Sequence, residues 1–447
     1  MTGGWLFERM AQAPGAIALC TSDGEITYQA LLDRVTEWDA YFADSDLGGR
    51  VISIEGDYGL ETVALFLAGM KAGSILVPMC SVTKSHVEEF LAIGEVECRI
   101  VLTPDGVDVI STERLATHEH YRTLQTVGSA GLVLFSSGST GASKAAVHDL
   151  GPLLEKFSVP RRCYRTLVFL QLDHIGGINT LFYTLANGGA VVVPETRTPA
   201  DVCAAIARHR VELLPTSPTF LNLLLLSEEW QRHDLSSLQV ITYGSEPMPA
   251  STLQRVHLTF PHVRLQQTYG LSELGILRSQ SRGSDSLWVR VGGEGYETRV
   301  VDNRLRIRAR SAMLGYLNAP SPFDDEGFFD TGDLVEVDGE WLRILGRQSE
   351  MINVGGSKVF PTEVENVLLE MENVEDVSAR GEPSALTGQA VVVSVRLARD
   401  EDPTMFKTRM RIFCRERLEP YKIPVKIEFA GPVYSERYKK LRQKAAS

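Results

Sequence analysis

Leu134-Phe-Ser-Ser-Gly-Ser-Thr-Gly-Ala-Ser-Lys144 follows an apolar run, Gly131 to Phe135, of the kind that forms a buried strand. From Ser136 to Lys144 it holds five hydroxyl residues, the glycines Gly138 and Gly141, and one ammonium. Hydroxyls, closely approachable backbone N–H groups and a lysine together suit a polyphosphate. The order is not that of the phosphate loop of nucleotide triphosphatases, which places four residues between its glycines and ends in Gly-Lys-Ser/Thr. By itself such a stretch also describes a polar turn, so its reading depends on its surroundings.

On either side, strand and helix patterns alternate. Thr27 is placed to cap a helix that starts near Tyr28, and Arg50 to Gly56 reads as a short buried strand. Leu60 to Met70 reads as a helix and Gly73 to Met79 as the next strand. Beyond the loop come a strand at Thr166–Leu170, a helix through Ala186, a strand from Gly188 and a helix at Pro199–His209. A strand at Glu212–Leu214, a helix from Pro218, and strands at Leu238–Tyr243 and Arg264–Thr268 follow. This order predicts an α/β fold of mixed, mostly parallel sheets with flanking helices. Ligands in such sheets sit beyond the carboxyl ends of strands, where several of the unusual loops fall. From Leu287 charged alternation takes over, as in Arg299-Val-Val and Leu305-Arg-Ile-Arg, and predicts a small antiparallel β-subdomain. The last hundred or so residues read as a small α+β domain, with helices at Pro361–Met371 and Pro403–Arg417. The expected division is 1–346 and 347–447, with a hinge at 347–350.

The chain has 447 residues, more than one ordinary core, and a net charge of −12. An acidic chain with no basic cluster except its tail argues against nucleic acid or an anionic membrane as the main partner. Six scattered cysteines without a C-x-x-C pair suggest neither zinc nor a disulfide framework. No signal peptide and no membrane-spanning run is read, so a cytoplasmic location is expected.

Six motifs stand in fixed order: SSGSTGASK (136–144), LDHIGG (172–177), YGSEP (243–247), TYGLSE (268–273), DTGDL (330–334) and GRQSEMINVGGSKVFPTEVE (346–365). Together they resemble the adenylate-forming superfamily of acyl- and aryl-CoA ligases, peptide-synthetase adenylation domains and luciferases. The resemblance runs over almost the whole chain and is nearest the acid–thiol ligases. It implies that a carboxylic acid attacks the α-phosphate of Mg-ATP to give an acyl-adenylate and pyrophosphate. A thiol, of CoA or of the phosphopantetheine of an acyl or peptidyl carrier protein, then takes the acyl group while the small domain rotates.

The resemblance also implies roles. Ser136, Ser137, Gly138, Ser139, Thr140, Gly141 and Lys144 would hold the β- and γ-phosphates. Tyr269 would stack on adenine, Gly270 following it, with the backbone of Gly244, Ser245 and Glu246 as the opposite wall. Ser272 would reach the α-phosphate from a position usually held by threonine. Glu273 would coordinate Mg²⁺, Asp333 would accept hydrogen bonds from the ribose hydroxyls, and Arg347 would lie near ribose and phosphate. His174 matches a position that abuts the acid carboxylate, without an acid–base function. Ile175 stands where relatives that activate α-amino acids place an aspartate, and Asp173 is one residue early, so an acid without an α-amino group is expected. The tail Tyr438-Lys439-Lys440-Leu441-Arg442 matches a catalytic-lysine motif. Lys439 fits by its spacing to Arg442 and Lys440 by its distance from Phe429; Lys439 is the choice. The pocket wall is expected from 174–179, 243–245 and 274–277.

Some positions depart from the pattern: Ser349 replaces the usual hinge Asp or Lys, and no glycine precedes Lys439. These leave two further readings, transfer of the activated group to an amine or other nucleophile, and a nucleotide-binding protein without catalysis. Val354-Gly-Gly-Ser-Lys-Val-Phe resembles a loop that lines a thiol channel.

Overall fold

The computed structural model describes residues 2–80, 85–137, 143–435, 438 and 440. Gly138 to Ala142, Lys439 and Arg442 therefore lie outside the described residues, as does the side chain of Ser137.

Two seven-stranded sheets form the large domain. One runs, in spatial order, from Arg264–Gln267 through Val240–Tyr243, Leu213–Thr216, Arg165–Leu167 and Ala190–Val192 to Ile17–Thr21 and Gly24–Thr27. All its pairs are parallel except the last hairpin. In the other, Gly131–Ser137, Ile75–Met79, Val51–Glu55 and Cys98–Thr103 form a parallel centre. Antiparallel strands Ser143–Asp149, Gly315–Tyr316 and Gly106–Ser111 flank it. Parallel strands are buried on both faces, and Ile75 to Met79 is buried at every position.

The helices Leu60–Lys71 and Ile175–Ala186 lie in one core that also holds residues of both sheets. Phe66 meets Phe182 edge to face, with ring centroids 5.9 Å apart. The first helix is buried from Thr62 to Met70, as befits an element covered by apolar surface on all sides. Thr27 caps the helix Tyr28–Asp44 as expected, its hydroxyl accepting from the N–H of Ala30.

A six-stranded antiparallel sheet follows, in the order Ser279–Ser281, Trp288–Val291, Trp341–Arg347, Phe329–Asp338, Arg304–Ala309, Tyr296–Val301. A turn at Gln348–Glu350 then leads to a fourth sheet and a separate core, drawn from residues between Ile352 and Ile427. There Ile352–Val354 and Ser357–Val359 form a hairpin over Gly355 and Gly356. Both glycines have positive φ, 59° and 89°, which suits a two-residue hairpin turn.

Some expected elements are altered. The strand expected over Thr166–Leu170 is only Arg165–Leu167. Its continuation leaves the sheet, and the carbonyl of Phe169 accepts from Arg197 Nε at 2.7 Å instead of from a neighbouring strand. The hairpin Cys98–Thr103/Gly106–Ser111 had no counterpart in the sequence reading. Among the described residues no helix is long and apolar enough to cross a membrane, and no disulfide joins any of the six cysteines.

Candidate active site

Three neighbouring parallel strands end at one cavity. Leu213–Thr216 delivers Thr216, Val240–Tyr243 delivers Gly244 and Ser245, and Arg264–Gln267 leads into Thr268 and, after the buried Tyr269, Gly270 to Glu273. The cavity has a volume of about 2020 Å³ and is also lined by Ser136, Lys144, His174, Tyr316 and Arg347. Ser136 and Lys144 lie directly opposite each other on an antiparallel pair. The expected phosphate, magnesium and acid positions thus share one space.

Gly244 cannot be replaced here: a Cβ would lie 2.6 Å from the hydroxyl and 2.7 Å from the carbonyl of Thr268. Ser245 takes φ +67°, a conformation costly for a residue with a side chain and common at binding loops. Glu246 does not line the cavity; its carboxylate accepts from the Thr219 hydroxyl at 2.7 Å and from the N–H of Lys440 at 2.8 Å. Five expected wall residues also fall outside the cavity: Gly177, Ile178, Tyr243, Leu274 and Gly275. Tyr243 and Leu274 are buried in hydrophobic cores, because side chains on a strand or turn alternate away from the surface their neighbours face.

Asp333 and Arg347 face each other across the antiparallel pair Phe329–Asp338/Trp341–Arg347. Arg347 Nε lies 3.4 Å from Asp333 Oδ1, and Tyr269 donates its hydroxyl to Asp333 Oδ2 at 2.5 Å. Burial pushes the Asp333 carboxyl above the usual carboxylate range, and the Arg347 charge opposes that. Gly332, at φ +69°, departs from the extended backbone within the strand Phe329–Asp338, just before Asp333. Tyr269 is itself buried in a hydrophobic core, with its phenol pushed up by burial and then by the Asp333 charge, and contrary to expectation neither it nor Asp333 lines the cavity, which Gly270, Gly332 and Arg347 reach instead.

Glu273 accepts a 2.6 Å hydrogen bond from Tyr316 at Oε1. Lys144 Nζ sits 5.3 Å from the centre of the Tyr316 ring, so this tyrosine joins the strand Ser143–Asp149 to the carboxylate. The adjoining carbonyl of Ser272 is held by His148 Nε2 at 2.6 Å. His148 is fully buried, which lowers its pKa to about 4 and keeps it neutral. Neither Tyr316 nor His148 was anticipated; each acts through a partner distant in sequence.

His174 caps the helix Ile175–Ala186, its Nδ1 accepting from the N–H of Gly176 at 2.9 Å. Ile175, Gly176, Asn179, Thr180 and Tyr183 line the cavity along one helix face. A Cβ on Gly177 would fall 1.9 Å from the carbonyl oxygen of Gln171, so this tight helix start requires glycine. Asp173 is buried and does not line the cavity.

The tail docks on the large domain. Tyr438, at φ +53°, packs against Phe169 and Phe220 with ring centroids 5.6 and 5.7 Å away. Its carbonyl accepts from the Ser217 hydroxyl at 3.1 Å. Lys440 turns its ammonium away, to Asp376 Oδ1 at 2.7 Å and the Val377 carbonyl at 2.9 Å. Tyr434 donates to the other oxygen of Asp376. Lys440 is thus engaged inside the small domain, while the residues flanking Lys439 are held beside Ser217 and Glu246.

The AMP-binding enzyme family matches residues 6–316, and the AMP-binding enzyme C-terminal domain matches residues 363–434. Indoleacetate–CoA ligase from Aromatoleum aromaticum is 30% identical over 67% of this chain, a match that spans 63% of that protein's length. In solved structures, the anthranilate CoA ligase AuaEII in complex with anthranoyl-AMP superimposes with a TM-score of 0.81, at 19% identity, covering 97% of this chain and 95% of its own. The amide bond synthetase McbA from Marinactinospora thermotolerans gives 0.75 at 22% identity, covering 97% of each chain.

Proposed function

We propose, from the premise that this chain belongs to the AMP-binding enzyme family, that it activates a carboxylic acid with ATP and passes the acyl group to a thiol. The observation that carries this is the single cavity holding Lys144, His174, Ser245, Glu273 and Arg347 together. In the first step a carboxylate oxygen attacks the α-phosphorus. The bond to the bridging oxygen breaks, and pyrophosphate leaves with the electron pair. In the second, a thiolate attacks the acyl carbon and AMP departs.

The residues divide this work. Lys144, Ser136 and the loop that follows bind the β- and γ-phosphates, where charge builds as pyrophosphate leaves. Asp333, oriented by Tyr269 and Arg347, accepts from the ribose hydroxyls. Gly244, Ser245 and Gly270 wall the place of the base. Lys439 brings an ammonium to the α-phosphate, since Lys440 is taken up by Asp376. Glu273 is a fitting magnesium ligand: it is a hard oxygen donor facing the cavity, steadied at one oxygen by Tyr316, and magnesium commonly takes one carboxylate together with substrate phosphates. When bound, the ion neutralises phosphate charge.

The acid lacks an α-amino group. Ile175 offers no counter-charge, Asp173 is buried elsewhere, and Lys156 and Arg278 on the cavity wall would repel an ammonium. An aryl or medium acyl group fits between the small and aliphatic residues of the helix Ile175–Ala186. The Gly355–Gly356 hairpin tip is exposed and away from the cavity. Its use as a thiol channel therefore requires the small domain, 347–447, to turn about 347–350. The acceptor is CoA or a carrier-protein pantetheine, and six cysteines without a disulfide suit a cytoplasmic location.

Mass spectrometry of products formed from ATP and an acid panel, with and without CoA, tests the transfer. A thioester in good yield is expected. The likeness to an amide bond synthetase motivates the second reading, transfer to an amine. Amide formed in place of thioester would establish that reading instead.

A further inference from the structure

The wall of the cavity beyond His174 is cationic in a protein whose net charge is −12. Lys156, at the end of the short helix Leu150–Glu155, reaches the helix Ile175–Ala186. Its ammonium donates to Asn179 Oδ1 and to the carbonyl of Ile276, both at 2.6 Å. Both acceptors are neutral, and an ammonium has three N–H donors. No carboxylate pairs with Lys156 among the described residues. Arg278 lines the same wall; its Nε is buried without a hydrogen-bond partner, and it makes no ion pair among the described residues. Arg161 adds a third charge to this wall.

Among the described residues, the two carboxylates that line the cavity are engaged elsewhere. Glu340 is paired with Arg290 at 3.0 Å, and Glu273 is held by Tyr316 at the nucleotide end. Burial and the charges of Arg161 and Arg278 pull Lys156 down to about 7. Buried charges are ordinarily paired. A cluster of cations without acids, opening on a binding cavity, is completed by an anion from outside.

We propose that the acid activated here carries a second negatively charged oxygen group at its far end, seated by Lys156 and Arg278. This rests on the adenylation reading above and narrows its substrate class. Asn179, the partner of Lys156, lies five residues beyond His174 along the helix, roughly 7 Å at the helical rise. A ring bearing its two acidic groups opposite each other, or a short chain with one at each end, spans that distance.

The test compares matched acids in pyrophosphate release: terephthalate against its mono-amide, and adipate against its mono-amide. The dianion of at least one pair is expected to exceed its amide in kcat/KM by about tenfold or more. Lys156→Met should bring that ratio close to one, and Arg278→Gln should lower it. Should Lys156→Met fail to fold, the wild-type ratio and Arg278→Gln decide. Amides turned over as well as or better than the dianions would overturn the inference and leave adenylation standing. A raised KM for CoA with an unchanged acid ratio would also overturn it, assigning these cations to the phosphates of CoA. Pyrophosphate release with no acid at all would remove the adenylation reading, and this inference with it.

Discussion

Tyr316→Phe removes one oxygen atom from the site and leaves the ring beside Lys144 in place. The lost contact is the 2.6 Å hydrogen bond to Glu273 Oε1. Tyr316 is 8% exposed, and its phenol is pushed up by burial and then by the Glu273 charge. A hydrogen bond to a charged acceptor is worth about 1.5–3 kcal/mol. Because Glu273 is only half-buried, water replaces part of the interaction, and the lower value of about 1.5 kcal/mol applies. That corresponds to about tenfold in an equilibrium constant.

If Tyr316 steadies Glu273 for the metal, the cost appears in the magnesium requirement. Pyrophosphate release, measured against magnesium at fixed ATP, should show the half-maximal concentration raised by about tenfold, with much of the rate recovered at saturation. On a Glu273→Gln background the same change should cost little, because the charged acceptor is already gone. An unchanged magnesium requirement, or an equal cost on both backgrounds, refutes this reasoning and would assign Tyr316 to its ring contact with Lys144.

Three other outcomes follow from the same structure. Lys440→Met strands Asp376, which is 1% exposed at its side chain. It should cost roughly 3 kcal/mol in denaturant unfolding, whereas Lys439→Ala should abolish adenylation with the melting temperature unchanged. Arg347→Ala removes the charge that opposes the burial-driven rise of Asp333. ATP binding, followed by calorimetry, should therefore be lost at higher pH on acidification than in the wild type. His148 is lowered from an ordinary 6.5 to about 4, so the unfolded chain binds more protons between those values. Its contribution is full above pH 6.5 and is lost as pH falls toward 4, roughly 3 kcal/mol in all. His148→Gln should flatten stability against pH across that window.

Features set by local chemistry were legible in the sequence. Thr27 announces a helix start, and Gly73 to Met79 reads as a strand, which the fold forms over Ile75–Met79. The motif order named Lys144, Glu273 and Arg347, which the fold gathers at one cavity, whereas Asp333, opposite Arg347 on a strand pair, does not line it. What stayed hidden depends on neighbours far along the chain. Lys156 closes an ordinary-looking Leu-Leu-Glu-Lys run, and only the packing of Asn179 and Ile276 turns it inward. His148 and Tyr316 sit on strands whose pairing brings them to Ser272 and Glu273, a register no local pattern specifies. Tyr243 shows the reverse: its place beside Gly244 suggested a pocket wall, but strand alternation sends it into the core. The hairpin Cys98–Ser111 turns at Thr-Pro-Asp-Gly, 103–106, a local turn signal flanked by apolar runs.

Acid-dependent exchange of labelled pyrophosphate into ATP interrogates the first step without any assumption about the acceptor. Label should enter ATP only when a suitable carboxylic acid is present, and exchange should vanish in Lys439→Ala. An enzyme that binds ATP yet exchanges no label with any aliphatic or aromatic acid, or that releases ADP and phosphate instead, contradicts the account.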